Sequence, residues 1–200
     1  MAETEPWAEP EFPPHRMSID RYQRMVEAGV YGAKDPVYLW EGRLVETLPK
    51  SPPYSFAAMS LLNILVKMVP EGWHVGYRIP LAIGPESMPE PDLMVVRGDP
   101  EDYVGRARTA RDVAFLIEES DSSLALGLND LKHAAYVADG IPEYRSVDLP
   151  RREIMVFRKP SEASGRRFYR EDWWYGSDDA IPVVLDGREV GRVAVKEFLV

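Results

Sequence analysis

The 200-residue chain contains no cysteine, which excludes disulfide scaffolds, thiolate zinc sites, thiol nucleophiles and iron–sulfur clusters. It has no apolar run near the roughly 20 residues that a bilayer-crossing helix needs. It also lacks a positive balance. Lys and Arg number 24 against 33 Asp and Glu, a net charge of −9, which argues against a broad basic face made for sliding along nucleic acid. A small site that handles phosphates through a cation stays open, because a bound ion reverses the local field. Histidine is scarce: His15, His74 and His133 are the only three, and none stands at metal-ligand spacing. The first residues, MAETEPWAEPEFPPHR, have no apolar signal core, so the expected location is the cytoplasm. What is present is a hydrophobic fraction of 45%, enough for the core of one domain of ordinary size. Residues 1–16, rich in Pro and Glu, are expected to form a flexible tail, and residues 17–200 a single domain.

Along that domain, Ser18 reads as the N-cap of a short helix closed by Gly29. Val37–Trp40 and Arg43–Leu48, split by Glu41-Gly42, carry the acid-Gly signal of a hairpin. Pro52-Pro53 opens a helix to Met68, stopped by Pro70 and Gly72. Strands are expected at Trp73–Tyr77, Ile79–Ile83, Leu93–Val96 and Val113–Ile117, the last two with the continuous apolar pattern of strands covered on both faces. A helix from Leu124 to Asp139 follows, with Leu131, Ala134 and Ala135 holding its inner face. Strands are then expected at Pro142–Asp148, Arg152–Arg158 and Arg166–Tyr169. A polar, Trp-rich connection leads to a hairpin over Pro182–Ala194 and a short C-terminal helix. The order of elements predicts an α/β (α+β) domain, a mixed β-sheet flanked by helices.

The chemistry concentrates at two acidic ends of apolar strands. In Pro89-Glu90-Pro91-Asp92-Leu93 an aspartate stands where a buried strand begins, a costly place for a carboxylate unless it is paired or bound to a cation. Phe115-Leu116-Ile117-Glu118-Glu119-Ser120 runs out into acids in the same way. If the two strands are neighbours, Asp92 and Glu118 converge into a hard-cation site of the kind Mg²⁺ uses, completed by water and a substrate phosphate. Lys132, on the helix that follows, can reach both carboxylates and offset phosphate charge. The plain alternative makes Asp92 a turn residue, Glu118 a solvated strand end and Lys132 a surface lysine. Arg106, Arg108 and Arg111, between the acidic segments, are candidates for phosphate contact. The basic and aromatic run Arg166–Tyr175 fits base stacking, but strand alternation explains it more simply.

Several of these segments together resemble the Uma-type restriction endonuclease family of the PD-(D/E)xK nuclease superfamily. Tyr38–Glu46 looks like its opening hairpin, Pro89-Glu90-Pro91-Asp92 like its PD motif, and Ile117–Ser123 like its second acidic motif. Lys132 with Tyr136 and Ala138–Tyr144 is similar to its lysine helix and the following strand. The resemblance spans Met17 to about Leu199 and implies a restriction-endonuclease-like fold. It implies a Mg²⁺-dependent phosphodiesterase (Mn²⁺ as a substitute) in which Asp92 and Glu118 bind the metal with the backbone carbonyl of Glu119. Ser120 stands where the superfamily's lysine usually does, a substrate-side position, and Lys132 takes over that lysine's role. It further implies nucleic acid, DNA first, as substrate, and a homodimer, for which edge strands around Val183–Val193 are candidates.

The sequence departs from the family's pattern at four places. Tyr38 replaces a glutamate, Tyr54 a histidine and Leu128 an acid, with Asp130 nearby, and Arg145 stands for a tryptophan. Three functions follow as expectations: a metal-dependent endonuclease, a catalytically degenerate binding or assembly module, and a hydrolase of small phosphorylated substrates.

Overall fold

The computed structural model describes residues 15–32 and 35–199. The tail expected over residues 1–16 therefore lies, as far as residue 14, outside the described residues. Ser18 caps helix α1 (Ile19–Glu27), accepting from the Arg21 amide. The hairpin β1 (Val37–Trp40) and β2 (Arg43–Glu46) turns on Glu41 and Gly42, both at positive φ, the geometry a two-residue turn demands. Gly42 is required twice over, since a Cβ there would meet Arg16 Cβ at 2.6 Å. Ser51 then caps α2 (Pro52–Met68), with prolines in its first turn where no amide partner is missed.

The central sheet has six strands in the order β10-β9-β8-β7-β5-β3. They are β3 (Trp73–Tyr77), β5 (Leu93–Arg97), β7 (Val113–Ser120), β8 (Glu143–Asp148), β9 (Glu153–Ala163) and β10 (Arg166–Tyr175). Every neighbouring pair is antiparallel except β7 with β8. That parallel pair needs a crossover, and α3 (Ser123–Asp139) supplies it. Gly140, at φ +84, ends α3 in a left-handed turn that lets the Ile141 amide return to the Tyr136 carbonyl. The two-residue strands β4 (Leu81–Ala82) and β6 (Arg108–Thr109) pair with each other at the periphery.

Strand alternation sends the sheet's apolar residues to two cores. Leu93, Val95, Phe115 and Ile117 face α2 together with the hairpin β11 (Ala180–Leu185) and β12 (Arg188–Ala194). Met94, Val96 and Leu116 face the other way, onto Tyr136 of α3 and Tyr144 of β8. A third, small cluster of Tyr22, Leu39 and Met88 joins α1 to the β1–β2 hairpin. The expected mixed sheet flanked by helices is thus the fold.

Four details differ from the expectations. Ile79–Ile83 holds only the two-residue β4. The connection after Tyr169 is strand as far as Tyr175, an outer strand whose side chains are largely exposed and so carry no apolar alternation. Leu131 of α3 is 62% exposed and Ala134 is exposed too; the inward stripe runs through Asn129, Lys132 and Tyr136, about a third of a helical turn away. Val183 and Val193, expected at a free edge, are buried in the main core.

Candidate active site

Asp92 and Glu118, 26 positions apart in the chain, meet because β5 and β7 are antiparallel neighbours. Leu93 pairs with Ile117, and one further step of the same register sets Asp92 across from Glu118. Glu118 follows the alternation onto the α3 side. There Lys132 Nζ lies 2.9 Å from both of its oxygens, and the Tyr136 hydroxyl donates to Oε1 at 2.5 Å. Lys132 and Tyr136 are four residues apart on α3, so one helical face supplies both donors.

Asp92 is held from the α2 side and by the sheet backbone. The Glu119 amide donates to Oδ2 at 2.8 Å, the Tyr54 hydroxyl donates to Oδ1, and Lys50 Nζ is 3.7 Å from Oδ1. The Lys50 ammonium also sits 4.0 Å above the Tyr54 ring centre, a cation–π contact. Glu119, next along β7, alternates to the α2 side. Glu119 is 2% exposed, and neither of its buried carboxyl oxygens has a hydrogen-bond partner.

These surroundings set the protonation chemistry. Burial, then the Asp92 charge, push the Glu119 carboxyl up to about 9, with Lys50 opposing. Burial pushes the Glu118 carboxyl upward while Lys132 and Tyr136 pull it back. Burial pulls the Lys132 ammonium down, but Glu118 outweighs it and leaves the lysine above its ordinary value. We therefore treat Lys132 and Glu118 as an ion pair. Burial and Asp92 hold the Tyr54 hydroxyl far above the usual phenol range, so it stays a donor.

The carboxylates border a cavity of about 50 Å³, walled also by Tyr38 and Glu46 of the hairpin, Thr47, Arg78, Glu90 and Asn129. Hard oxygen donors converging here suit Mg²⁺ or Mn²⁺ with water and phosphate oxygens completing the shell. The two partnerless oxygens of Glu119 are the observation that favours such a fit. Among the described residues no three His, Asp or Glu side chains form one ready metal cluster, consistent with Glu118 and Glu119 leaving the strand on opposite faces.

Comparison with known proteins now adds to this geometry. A family profile, Uma2, described as "Putative restriction endonuclease", matches residues 20–185. The chain belongs to the Uma2 family. No curated protein matches. A solved structure described as a putative nuclease of DUF820 from Anabaena variabilis ATCC 29413 is 13% identical, with a TM-score of 0.65 over 92% of this chain and 97% of that one. At that identity the likeness speaks for the fold alone. No helix among the described residues is long and apolar enough to cross a membrane.

Placed within the Uma2 fold, the residues singled out from the sequence divide cleanly. Asp92, Glu118, Glu119 and Lys132 share the cavity. Ser120 is buried and accepts from the Asn129 amide at 2.7 Å, and it does not line the cavity. The three arginines lie elsewhere. Arg106 is paired with Asp112, Arg106 and Arg108 stack on Tyr103, and Arg111 borders a separate cleft with Trp73 and Arg97. His133 packs among Tyr144, Phe157 and Tyr169. Of the departures from the family pattern, Tyr54 brings its own polar group to Asp92, and Tyr38 lies over Lys132 at 5.5 Å. The Leu128 side chain is outside the described residues. Lys50, Tyr136 and Asn129 were not singled out as part of the site. Tyr136 alone had a local signal, its four-residue spacing from Lys132.

Proposed function

We propose that the chain is a divalent-metal-dependent endonuclease that hydrolyses phosphodiester bonds in nucleic acid, with Mg²⁺ as the working ion and Mn²⁺ able to replace it. The observation that carries this reading is the opposition of Asp92 and Glu118 across two core strands with Lys132 lodged against Glu118. Family and fold both point to a nuclease. Asp92, Glu118 and the Glu119 backbone carbonyl would hold the metal. When bound, the ion supplies Lewis-acid stabilisation of charge building on the phosphate. Lys132 presents an ammonium that orients the attacking water and offsets negative charge at the scissile group. Tyr54 and the Glu119 amide fix the Asp92 carboxylate, and Tyr136 fixes that of Glu118. Both are then aimed before substrate arrives, which lowers the reorganisation needed in the transition state.

The test is cleavage of single- and double-stranded DNA and RNA with Mg²⁺ or Mn²⁺ by the wild type and by Asp92→Ala and Lys132→Met. Metal-dependent cutting that both changes abolish is the expected result. Equal cutting by Asp92→Ala would refute the mechanism.

A second reading, a nucleic-acid-binding module without catalysis, is favoured by one observation: both oxygens of Asp92 and both of Glu118 already have partners within the chain. It predicts oligonucleotide binding that Asp92→Ala leaves intact, with no cutting under any metal.

A further inference from the structure

The cavity at the acids, about 50 Å³, has room for an ion and a few waters but not for a nucleotide. A cleft of about 800 Å³ adjoins it, and Thr47, Arg78 and Glu90 wall both spaces. Its volume falls in the range of roughly 300–1,000 Å³ typical of small-ligand sites. Tyr22, Tyr31 and Tyr77 give it an aromatic lining. Tyr77 is 36% exposed on β3, an edge strand of the sheet, and pairs with Leu93, the neighbour of Asp92.

Arg78 stands at the junction of the two spaces. Its amide donates to the Asp92 carbonyl at 3.2 Å, which ties it to the strand that carries the acid. Its φ of +49 lies in the left-handed region, where a residue other than glycine is uncommon and costs backbone energy. Three cations wall the cavity: Lys50, Arg78 and Lys132. Lys132 is engaged by Glu118 and Lys50 by Asp92. Among the described residues the Arg78 guanidinium has no ion-pair partner, although its charge reaches Tyr54 and Glu90 beside the cavity. It is left to meet a phosphate, for which its planar fork is suited.

Charge sorts the two spaces further. Glu27 and Glu90 line the cleft, where carboxylates repel a phosphate but accept from the amino group on a base edge. The cleft thus suits a base and the junction its phosphate. A base paired and stacked in a duplex has no way in, whereas an unpaired one can stack on tyrosine.

We propose that the tyrosine-lined cleft holds the unpaired base of a nucleotide adjoining the scissile phosphate, that Arg78 grips a phosphate at the junction, and that the substrate is accordingly single-stranded nucleic acid. This rests on the endonuclease reading above and deepens it by naming the form of the strand.

Fluorescence anisotropy tests this with the full chain and a short labelled phosphorothioate DNA strand that resists hydrolysis, alone and in duplex. Cutting of the unmodified strand with Mn²⁺ is followed alongside, in the wild type and in Asp92→Ala. The wild type should bind the strand at least about tenfold more tightly than the duplex. Tyr77→Ala should lose about tenfold in affinity through lost stacking, with its salt dependence unchanged. Arg78→Gly, which relieves the left-handed backbone, should also lose about tenfold and flatten the slope of log affinity against log salt by about 0.7. Circular dichroism establishes that each variant is folded; should Tyr77→Ala not fold, Arg78→Gly carries the test. A duplex bound as tightly as the strand, or wild-type affinity and slope in Arg78→Gly, overturns the proposal, and Asp92-dependent cutting in the same preparations then leaves the functional reading standing. Strand binding that the variants weaken as expected, with no cutting under any metal, supports the cleft as a binding site and overturns the endonuclease reading.

Discussion

Lys132 Nζ stands 2.9 Å from each oxygen of Glu118, so one ammonium answers a whole buried carboxylate. Removing either partner strands the other charge in a low-dielectric interior. We expect Lys132→Met to cost about 3–5 kcal/mol of stability. The double change Lys132→Met with Glu118→Gln should recover much of that loss. Urea unfolding of the two single variants and the double in a mutant cycle reads the coupling directly, and additive effects would mean the pair is not held as described.

Tyr54→Phe removes the hydroxyl that donates to Asp92 and leaves the ring under Lys50 in place. A hydrogen bond to a charged group is worth about 1.5–3 kcal/mol, and the variant should lose a sum in that range in denaturant unfolding. Tyr54→His, which restores the residue type expected from the family resemblance, should lose less. A Phe variant as stable as the wild type would show that Asp92 finds its donor elsewhere.

Arg145 has its guanidinium fully buried between Glu143, whose oxygen it meets at 2.6 Å, and the Phe115 ring at 3.9 Å. Burial pulls it below its ordinary value while Glu143 supports the charge. Arg145→Ala should destabilise by about 3–5 kcal/mol, since it breaks a buried pair and opens a cavity. Arg145→Trp should cost less, because the indole refills the space and Arg158 still neutralises Glu143. Thermal unfolding ranks the three proteins.

Acid sensitivity should come in part from Asp112. Arg106 grips both its oxygens at 2.8 Å, and with the Thr109 donors it holds the carboxyl well below the usual range against the opposing effect of burial. A depressed native value stabilises the fold at any pH above the unfolded value of about 3.9. That contribution shrinks as pH falls through the unfolded value towards the native one, because the unfolded chain takes up the proton first. Urea midpoints of wild type and Asp112→Asn should therefore differ most at neutral pH and converge as the solution is acidified below about pH 4. A gap that widens on acidification would contradict the pairing.

The sheet and the two acidic strand ends were legible because their signals are local: unbroken apolar runs, a Gly or Pro at the turns, an acid where burial makes it costly. Lys50 was not legible, because its place depends on where the start of α2 lands beside the end of β5. Tyr54 read as a lost histidine, since residue type alone does not tell where a phenol hydroxyl arrives. Leu131 misled in a different way. An apolar residue one position from the inward stripe of α3 looks as core-forming as its neighbours, and only the packing of Asn129, Lys132 and Tyr136 fixes the helix's rotation. Glu119 was seen for its backbone, yet its side chain follows from alternation once β7 is known to continue through Ser120.

The small cluster of Tyr22, Leu39 and Met88 shares no residue with the two larger cores, although Tyr38, Glu46 and Thr47 beside it wall the cavity. The carboxylates are thus rooted in the central sheet while the opposite wall belongs to a hairpin with its own small core, tied back by a few hydrogen bonds, among them the Met88 amide to the Leu39 carbonyl at 2.8 Å and the Gly42 amide to the Glu86 carbonyl at 2.7 Å. Such a unit opens at lower free energy than the sheet. Amide hydrogens of β1 and β2 should exchange faster than those of β5 and β7, and each such opening uncovers the acids without unfolding the strands that carry them. A cavity too small for a nucleotide in the closed form becomes, on that timescale, a groove with a hinged side.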